Sequence, residues 1–160
     1  MVHINIVCVG KIKEKFFKDA IEEYSKRLSR FCSLNIIELP DEKIPEKSNT
    51  SIENMIKNKE GANILAHLIK DSYVISLDLK GKEYTSTDFA EKLNSIYSNI
   101  NGNISFIIGG SLGLSSEVIS ASNELISFSK MTFPHQLIRI FLLEQTYRAF
   151  KIINNETYHK

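Results

Sequence analysis

The sequence predicts an α/β fold in which a mostly parallel sheet carries helices on both faces. Segments rich in β-branched residues alternate along the chain with segments whose apolar residues recur at helical spacing. That alternation is typical of parallel strands joined by crossover helices. The length of 160 residues fits a single domain spanning residues 1–160, and the balance of 42% hydrophobic and 24% charged residues is that of a globular protein.

Five segments predict strands. The first, "HINIVCVG", is rich in β-branched residues and ends at Gly10. Pro40 ends the second strand because proline cannot donate a ladder hydrogen bond, and Gly81 predicts a turn after the third. The predicted strands span residues 3–10, 33–40, 72–79, 103–110 and 124–130.

Five segments predict helices between and after these strands. Ser86 or Thr87 is the expected N-cap of the third helix. Gly61 weakens the second helix without ending it, and Pro134 suits the first turn of the last one. The predicted helices span residues 14–31, 52–69, 86–100, 114–122 and 134–153.

The composition argues against a membrane protein and against a metal site. No run approaches the ~20 consecutive apolar residues needed to span a bilayer. The N-terminal apolar stretch precedes its charges, which indicates a buried strand and not a signal peptide, so a cytoplasmic location is expected. Cys8 and Cys32 lie in apolar segments and are expected to be reduced core residues, and neither the cysteines nor the histidines have metal-ligand spacing.

The net charge of +1 is unevenly distributed. Residues 1–30 carry seven Lys and Arg against four Asp and Glu, and residues 129–160 carry five against two. The residues between them carry eight against thirteen. If both ends of the chain fold onto one face, that face is basic enough to meet phosphate, and ordinary surface scatter is the alternative.

Ligands of open parallel sheets bind beyond the carboxyl ends of the strands, and three loops qualify: residues 77–81, 107–113 and 128–135. The second, "IIGGSLG", has glycines that permit a close backbone approach to a ligand. It lacks the lysine of a P-loop and the spacing of a dinucleotide-binding motif, so a tight structural turn is an equal interpretation. His135 either lines a site or packs at the start of the last helix.

Apolar residues of the last predicted helix cover more than one face of the helix. A helix that packs on one sheet needs apolar residues over only about a third of its circumference. The excess predicts burial against a partner subunit, and therefore a homodimer that a charge at Phe141 or Leu142 would separate. Deep burial within one chain is the alternative.

Five segments carry a resemblance to a known family. They are "VGKIKEKF" (9–16), "ELPDEK" (38–43), "IIGGSLG" (107–113), "SFSKMTFPHQLIRIFLLEQTYRAFKI" (127–152) and "YHK" (158–160). Together they resemble the bacterial large-subunit (23S) ribosomal RNA pseudouridine N3-methyltransferases, which are minimal members of the SPOUT, or α/β-knot, class. The resemblance spans the whole chain and is weakest at residues 41–60. It implies a homodimer and a C-terminal trefoil knot, a feature nearly absent elsewhere.

The resemblance also implies that S-adenosyl-L-methionine binds in the knotted loops. Carried over residue by residue, the cofactor site consists of Leu77, Gly109, Phe128, Ser129, Lys130, Met131, Thr132 and Phe133. These residues lie in the three loops that follow predicted strands. A branched side chain at Gly109 is then expected to exclude the cofactor while the fold stays intact.

The implied reaction transfers a methyl group to N3 of a pseudouridine in large-subunit (23S) ribosomal RNA, with the assembled ribosome as the expected substrate and partner. The imide N–H must lose its proton, which requires a base or a group that stabilises the anion. His159 could accept the proton because histidine titrates near neutral pH, and Tyr158 could stack on the base. His135 is an equal candidate, and a tail that only binds RNA is the alternative. Arg148 and Lys160 are expected to hold phosphate or the developing anion, although many family members end in arginine, whose bidentate fork lysine lacks.

Two other functions fit the same residues. A non-catalytic ribosome- or nucleotide-binding module would show basic faces without a methyl-donor pocket. A knot-class enzyme that acts on transfer RNA would have the same pocket and another substrate. Calorimetry with S-adenosyl-L-methionine tests the first alternative, and methyl transfer to ribosomes compared with bulk transfer RNA tests the second.

Overall fold

The computed structural model describes residues 1–99 and 102–160, in which strands and helices alternate along the chain. The strands are β1 (Val2–Val9), β2 (Cys32–Leu39), β3 (Tyr73–Glu83), β4 (Asn103–Ile108) and β5 (Glu124–Ser127). The helices are α1 (Lys15–Leu28), α2 (Thr50–Ala66), α3 (Ser86–Asn99), α4 (Ser116–Ala121) and α5 (His135–Ile153).

The five strands form one sheet in the order β2-β1-β4-β3-β5. Every neighbouring pair of strands is parallel. Parallel strands need crossover connections, and each connection between consecutive strands contains a helix. The predicted α/β fold with a parallel sheet is therefore confirmed, whereas the C-terminal knot stays a prediction.

Side chains of successive strand residues point to opposite faces of the sheet, and each face has its own apolar cluster. In β1, Ile4 and Ile6 belong to the larger cluster, which α1, α3 and α5 complete, and Val7 belongs to the smaller cluster under α2 and α4. Phe106, Leu142 and Leu143 are among the fully buried side chains. The predicted coverage of both faces is confirmed, with α5 in the thicker layer.

The turn predicted at Gly81 is wrong. Strand β3 continues to Glu83, and its pairing with β5 shifts register between Leu77 and Lys82. A Cβ atom on Gly81 would collide with the backbone of Ile126, so this glycine lets the two strands pass at close range. The sequence signal for a turn was in fact a signal for close backbone contact.

Two element boundaries also differ from the prediction. Thr85, and not Ser86 or Thr87, caps α3, because its Oγ1 accepts a hydrogen bond from the Asp88 N–H at 3.1 Å. Strand β5 ends at Ser127, three residues before the predicted end, and the following residues form a loop. The predicted end of α3 at residue 100 lies outside the described residues.

Cys8 and Cys32 are both free and buried, as the sequence predicts. Burial raises the pKa of each thiol to about 12, so neither forms a thiolate readily. Among the described residues, no helix is both long enough and apolar enough to cross a membrane. No group of three or more potential metal ligands occurs within the same described ranges.

Candidate active site

A cleft of about 780 Å³ opens where β3, β4 and β5 reach their carboxyl ends and α5 begins. Its size lies within the range of about 300–1,000 Å³ that small-molecule sites occupy. Apolar side chains of Leu77, Ile108 and Ile138 form part of the wall, beside the backbone of the glycine loop. All three loops that the strand-end rule selects contribute to this one cleft.

Leu77 is half-buried on β3, level with Ile108 of β4 and Ile126 of β5. It lies at the register shift, after which the chain bulges outward through Asp78, whose carboxylate accepts a hydrogen bond from the Lys80 N–H at 2.8 Å. The irregular segment therefore brings both the apolar Leu77 and the polar Asp78 and Lys80 into the lining of the cleft.

Gly109 lines the cleft, but its own loop limits substitution there. A Cβ atom on Gly109 would lie 2.7 Å from Cδ2 of Leu114 and 3.3 Å from the Gly113 carbonyl carbon. Leu114 is buried, so a branched residue at 109 requires the Leu114 side chain to move. The expectation that such a change excludes the cofactor while the fold stays intact stays a prediction. Gly113, with φ of +85° and open space around it, is the glycine that the loop conformation requires.

The loop of residues 128–134 forms another wall of the cleft. Ser127 Oγ donates to the Ser129 carbonyl at 2.8 Å, and Ser129 Oγ accepts from the Met131 N–H at 3.0 Å. The Phe133 ring meets Phe141 of α5 edge-on, with ring centroids 5.7 Å apart. Most of the predicted cofactor residues in this loop line the cleft: Phe128, Ser129, Met131, Thr132 and Phe133. Lys130 is exposed and does not line the cleft.

His135 is half-buried in the first turn of α5 and lines the cleft. Burial lowers the pKa of His135, and the positive charge of Arg139 one turn later lowers it further, while Asp41 opposes both effects. The imidazole is therefore neutral at neutral pH and has a lone pair available to accept a proton. Of the two interpretations that the sequence allows, the geometry favours a residue that lines a site.

The C-terminal tail folds back onto the last turns of α5 around Glu144. The carboxylate of Glu144 accepts hydrogen bonds from Arg148 Nη2 at 2.6 Å and from the Tyr158 hydroxyl at 3.1 Å. Tyr158 also packs edge-on against Tyr147, with ring centroids 4.9 Å apart. Arg148 Nη1 lies 3.2 Å from His159 Nδ1. Arg148, Tyr158 and His159 thus form one group with Glu144, which we call the tail cluster.

The contact between Arg148 and His159 fixes the imidazole tautomer. A guanidinium can only donate hydrogen bonds, so Nδ1 of His159 must be the acceptor. In a neutral imidazole the proton then resides on Nε2, which leaves no free lone pair on the ring. His159 can accept a substrate proton only after this contact breaks. Lys160, the last residue, is exposed beside it.

The tail cluster and the cleft lie toward opposite ends of α5. Arg148 lies 13 positions after His135, which corresponds to about 20 Å along a helix axis. A smaller cavity of about 320 Å³ lies between them and shares Phe128 and Phe133 with the cleft and Glu144 with the tail cluster. The sequence-predicted residues therefore form two groups in one subunit and do not converge on one point.

Sequence reasoning missed Glu144, which organises the tail cluster. Its spacing of four residues before Arg148 was the available signal, since carboxylates and guanidiniums at that spacing pair on a helix. It also missed Glu60, which lies with Asp41 and His135 on a side cavity of about 280 Å³ that adjoins the cleft. Burial raises the pKa of Glu60, although a hydrogen bond from the Glu42 N–H opposes that effect.

Comparison with known proteins assigns the chain to a family. A family profile described as "Predicted SPOUT methyltransferase" matches residues 2–159. A protein of Clostridium botulinum (strain 657 / Type Ba4) named "Ribosomal RNA large subunit methyltransferase H" is 57% identical over 99% of this chain and 100% of its own length. A protein of the same name from Clostridium novyi (strain NT) is 56% identical with the same coverage.

A solved structure described as "The structure of a probable methylase family protein from Haemophilus influenzae Rd KW20" superimposes with a TM-score of 0.57. The superposition covers 98% of this chain and 70% of the other at 14% sequence identity, so it supports the fold alone. The profile match and the full-length identity to its relatives show that this chain belongs to the SPOUT methyltransferase family.

Proposed function

We propose that this protein is an S-adenosyl-L-methionine-dependent methyltransferase that acts on N3 of a pseudouridine in large-subunit (23S) ribosomal RNA. The observation that carries the proposal is the 57% identity, over the full length, to relatives named for methylation of large-subunit ribosomal RNA. The proposal includes a cytoplasmic location, where ribosomes are found.

The composition of the cleft supports S-adenosyl-L-methionine as its ligand. Leu77, Ile108 and Phe128 offer apolar surface for a purine, and backbone groups of the glycine loop offer hydrogen bonds. Hydroxyls of Ser129 and Thr132 lie in the same wall. The bound cofactor supplies an activated methyl group on a sulfonium, so the protein has mainly to position the acceptor nitrogen.

The acceptor nitrogen must also lose its proton, and His135 is the better candidate of the two histidines. Its imidazole is neutral and lines the cleft, whereas the His159 ring has its Nδ1 lone pair engaged by Arg148. We assign proton acceptance to His135, and RNA contact to Arg148, Tyr158, His159 and Lys160. Tyr158 supplies an aromatic ring, the exposed Lys160 supplies positive charge, and Arg148, which is paired with Glu144, adds guanidinium N–H donors.

The separation between cleft and tail cluster supports a homodimer. About 20 Å along α5 is too far for both groups of one subunit to touch one base directly. If two copies pair through α5 in antiparallel fashion, the tail of one copy lies near the cleft of the other. The exposed Phe141, at 39% accessibility, and its half-buried neighbours Leu137 and Ile140 supply the apolar surface for this pairing.

The decisive experiment measures methyl transfer from labelled S-adenosyl-L-methionine to assembled ribosomes isolated from cells that lack this gene. We expect label in large-subunit RNA, and mass mapping should locate it on a pseudouridine. Bulk transfer RNA is the parallel substrate. Label in transfer RNA alone would replace the proposal with a knot-class transfer RNA enzyme, and failure to bind the cofactor in calorimetry would leave only a binding module.

A further inference from the structure

The segment that runs from the end of β1 through the first turn of α1 forms an exposed basic surface. We call residues 11–18 the lysine loop; its lysines are Lys11, Lys13, Lys15 and Lys18. All four are exposed, and Phe16 among them is 65% accessible. Lys15 pairs with Asp19 at 2.6 Å, whereas Lys11, Lys13 and Lys18 form no salt bridge with any described residue. Glu14 is the only acidic residue within the loop.

Five of the eight other basic residues in 1–30 and 129–160 are paired, which makes this loop distinctive. Arg27, Arg30, Arg139, Arg148 and Lys151 each contact a carboxylate of the same chain. Their charges are therefore partly neutralised within the subunit, and the available positive charge of the N-terminal end is concentrated in the lysine loop.

The backbone of the lysine loop is anchored. Its Ile12 is 5% accessible, and the Ile12 N–H donates to Glu38 Oε2 at 2.8 Å. Arg139 Nη1 donates to the same Glu38 oxygen at 2.6 Å, and Arg139 Nη2 donates to the Gly10 carbonyl at 3.2 Å. With Ile12 buried between them, Lys11 and Lys13 extend toward solvent from a fixed backbone.

The anchor also locates the lysine loop beside the cleft. Arg139 lies one helical turn after His135, which lines the cleft. Val9, at the end of β1, shares the side cavity with His135 and with Ser111 of the glycine loop. The loop therefore emerges at the same edge of the sheet as the cleft, at the carboxyl ends of the strands.

From this placement we infer that the lysine loop binds the phosphodiester backbone of the RNA substrate, next to the nucleotide that enters the cleft. The inference rests on the proposed function. Lysine ammonium groups act as point charges toward phosphate and release counterions on binding, and an exposed ring such as that of Phe16 can stack on an unpaired base. A fixed backbone lets these contacts align the RNA with the cleft as well as attract it.

The test compares two double variants with the same change in net charge. Lys11→Gln with Lys13→Gln removes the proposed contacts. Lys26→Gln with Lys70→Gln is the control, because both lysines are exposed and lie at the opposite edge, before β2 and β3 respectively. Affinity for assembled ribosomes is measured with S-adenosyl-L-homocysteine present, from about 50 to about 200 mM salt, a range over which phosphate contacts weaken strongly.

Loss of two phosphate contacts should reduce the slope of log affinity against log salt by about 2. The affinity deficit of the Lys11 and Lys13 variant should then be about 16-fold larger at the low end of that salt range than at the high end. The control variant should keep the wild-type slope. Binding of S-adenosyl-L-homocysteine alone should be equal in all three proteins.

Equal salt slopes for the wild type and the Lys11 and Lys13 variant would overturn the inference. An equal reduction of the slope in the control variant would also overturn it, because the effect would then come from net charge alone. Either result leaves the proposed function standing if the wild type methylates ribosomal RNA. A wild type that neither binds nor methylates assembled ribosomes contradicts the proposed function itself. Phe16→Ala, with the exposed Met55→Ala as its control, should weaken binding without a change of slope.

Discussion

At the scale of single residues, two histidines differ in the state of their lone pairs. His135 faces the cleft as a neutral imidazole, and His159 accepts a hydrogen bond from Arg148. Sequence alone could not separate them, because the difference arises from burial and from a contact made by the folded tail. The proposed distinction between a proton acceptor and an RNA contact therefore rests on tertiary structure.

We expect His135→Gln to lower the single-turnover rate of methyl transfer by about 10²-fold or more, the lower end for general-base catalysis. His159→Ala should instead weaken RNA affinity with little change in that rate. Because the pKa of His135 is lowered, the wild-type rate should decline only below about pH 6.5, the ordinary histidine value. Single-turnover assays on purified ribosomes across a pH series measure both effects; a large rate defect in His159→Ala alone would reverse the assignment.

At the scale of elements, Arg139 and Glu38 connect α5 to the end of β2 and to the lysine loop. The Arg139 side chain is 3% accessible and that of Glu38 is 36% accessible, so the two partners are not equivalent. Removal of Glu38 leaves the buried Arg139 guanidinium without its carboxylate partner. Removal of Arg139 leaves the Glu38 carboxylate, which still contacts water and still accepts a hydrogen bond from the Ile12 N–H.

Glu38→Leu should therefore destabilise the protein by about 3–5 kcal/mol, as for the loss of one partner of a buried pair. Arg139→Met should lower the free energy of unfolding by only about 1–2 kcal/mol. The methionine side chain takes the place of the apolar part of the arginine side chain, and the Glu38 carboxylate stays partly solvated. Urea unfolding measures both values, and the double variant should lose less than the sum. Equal losses for the two single variants would contradict the asymmetry.

The same pair makes stability depend on pH. Burial acts to raise the pKa of Glu38, but hydrogen bonds from Ile12 and Arg139 and the nearby positive charges outweigh it and leave that pKa below its ordinary value. A lowered folded-state pKa contributes stability that is present above the unfolded value of about 4.3 and is lost as pH falls through the folded value. The difference in unfolding free energy between the wild type and Glu38→Gln should thus have its largest value at pH 7 and decrease below about pH 4.3.

The elements themselves were largely predictable. Alternating β-branched and helix-periodic segments specified five strands, five helices and their parallel arrangement, because those patterns reflect burial on one or both faces. Gly81 was misjudged because a glycine marks either a turn or a close approach of two backbones, and only the position of β5 decides between them. The site loops followed from the strand-end rule. The contact between Glu144 and Tyr158 did not, since these residues lie 14 positions apart in the sequence.

At the scale of the whole molecule, α5 leaves less apolar surface for a partner subunit than its sequence suggests. Leu142 and Leu143 are fully buried within one chain, because α1 and α3 both pack against this helix. The idea that a charge at Leu142 would merely separate subunits is therefore wrong for that residue. The partly exposed surface that remains includes Leu137, Ile140 and Phe141.

We expect Phe141→Glu to give folded monomers and Leu142→Glu to abolish folding, since only the second places a charge in the core. Analytical ultracentrifugation measures the association state and circular dichroism measures the fold. A Phe141→Glu protein that remains dimeric at low concentration would place the interface elsewhere.

The distance between cleft and tail cluster has a genetic consequence. If each working site combines the cleft of one copy with the tail of another, two inactive proteins can restore activity to one another. One partner would lack residues 158–160, and the other would carry Gly113→Val, which strains the positive-φ position in the cleft. Equal co-expression should give mixed dimers with one intact site each, and about a quarter of wild-type activity. Sites contained within single subunits would give none, so complementation between two dead alleles reports the architecture of the assembly inside the cell.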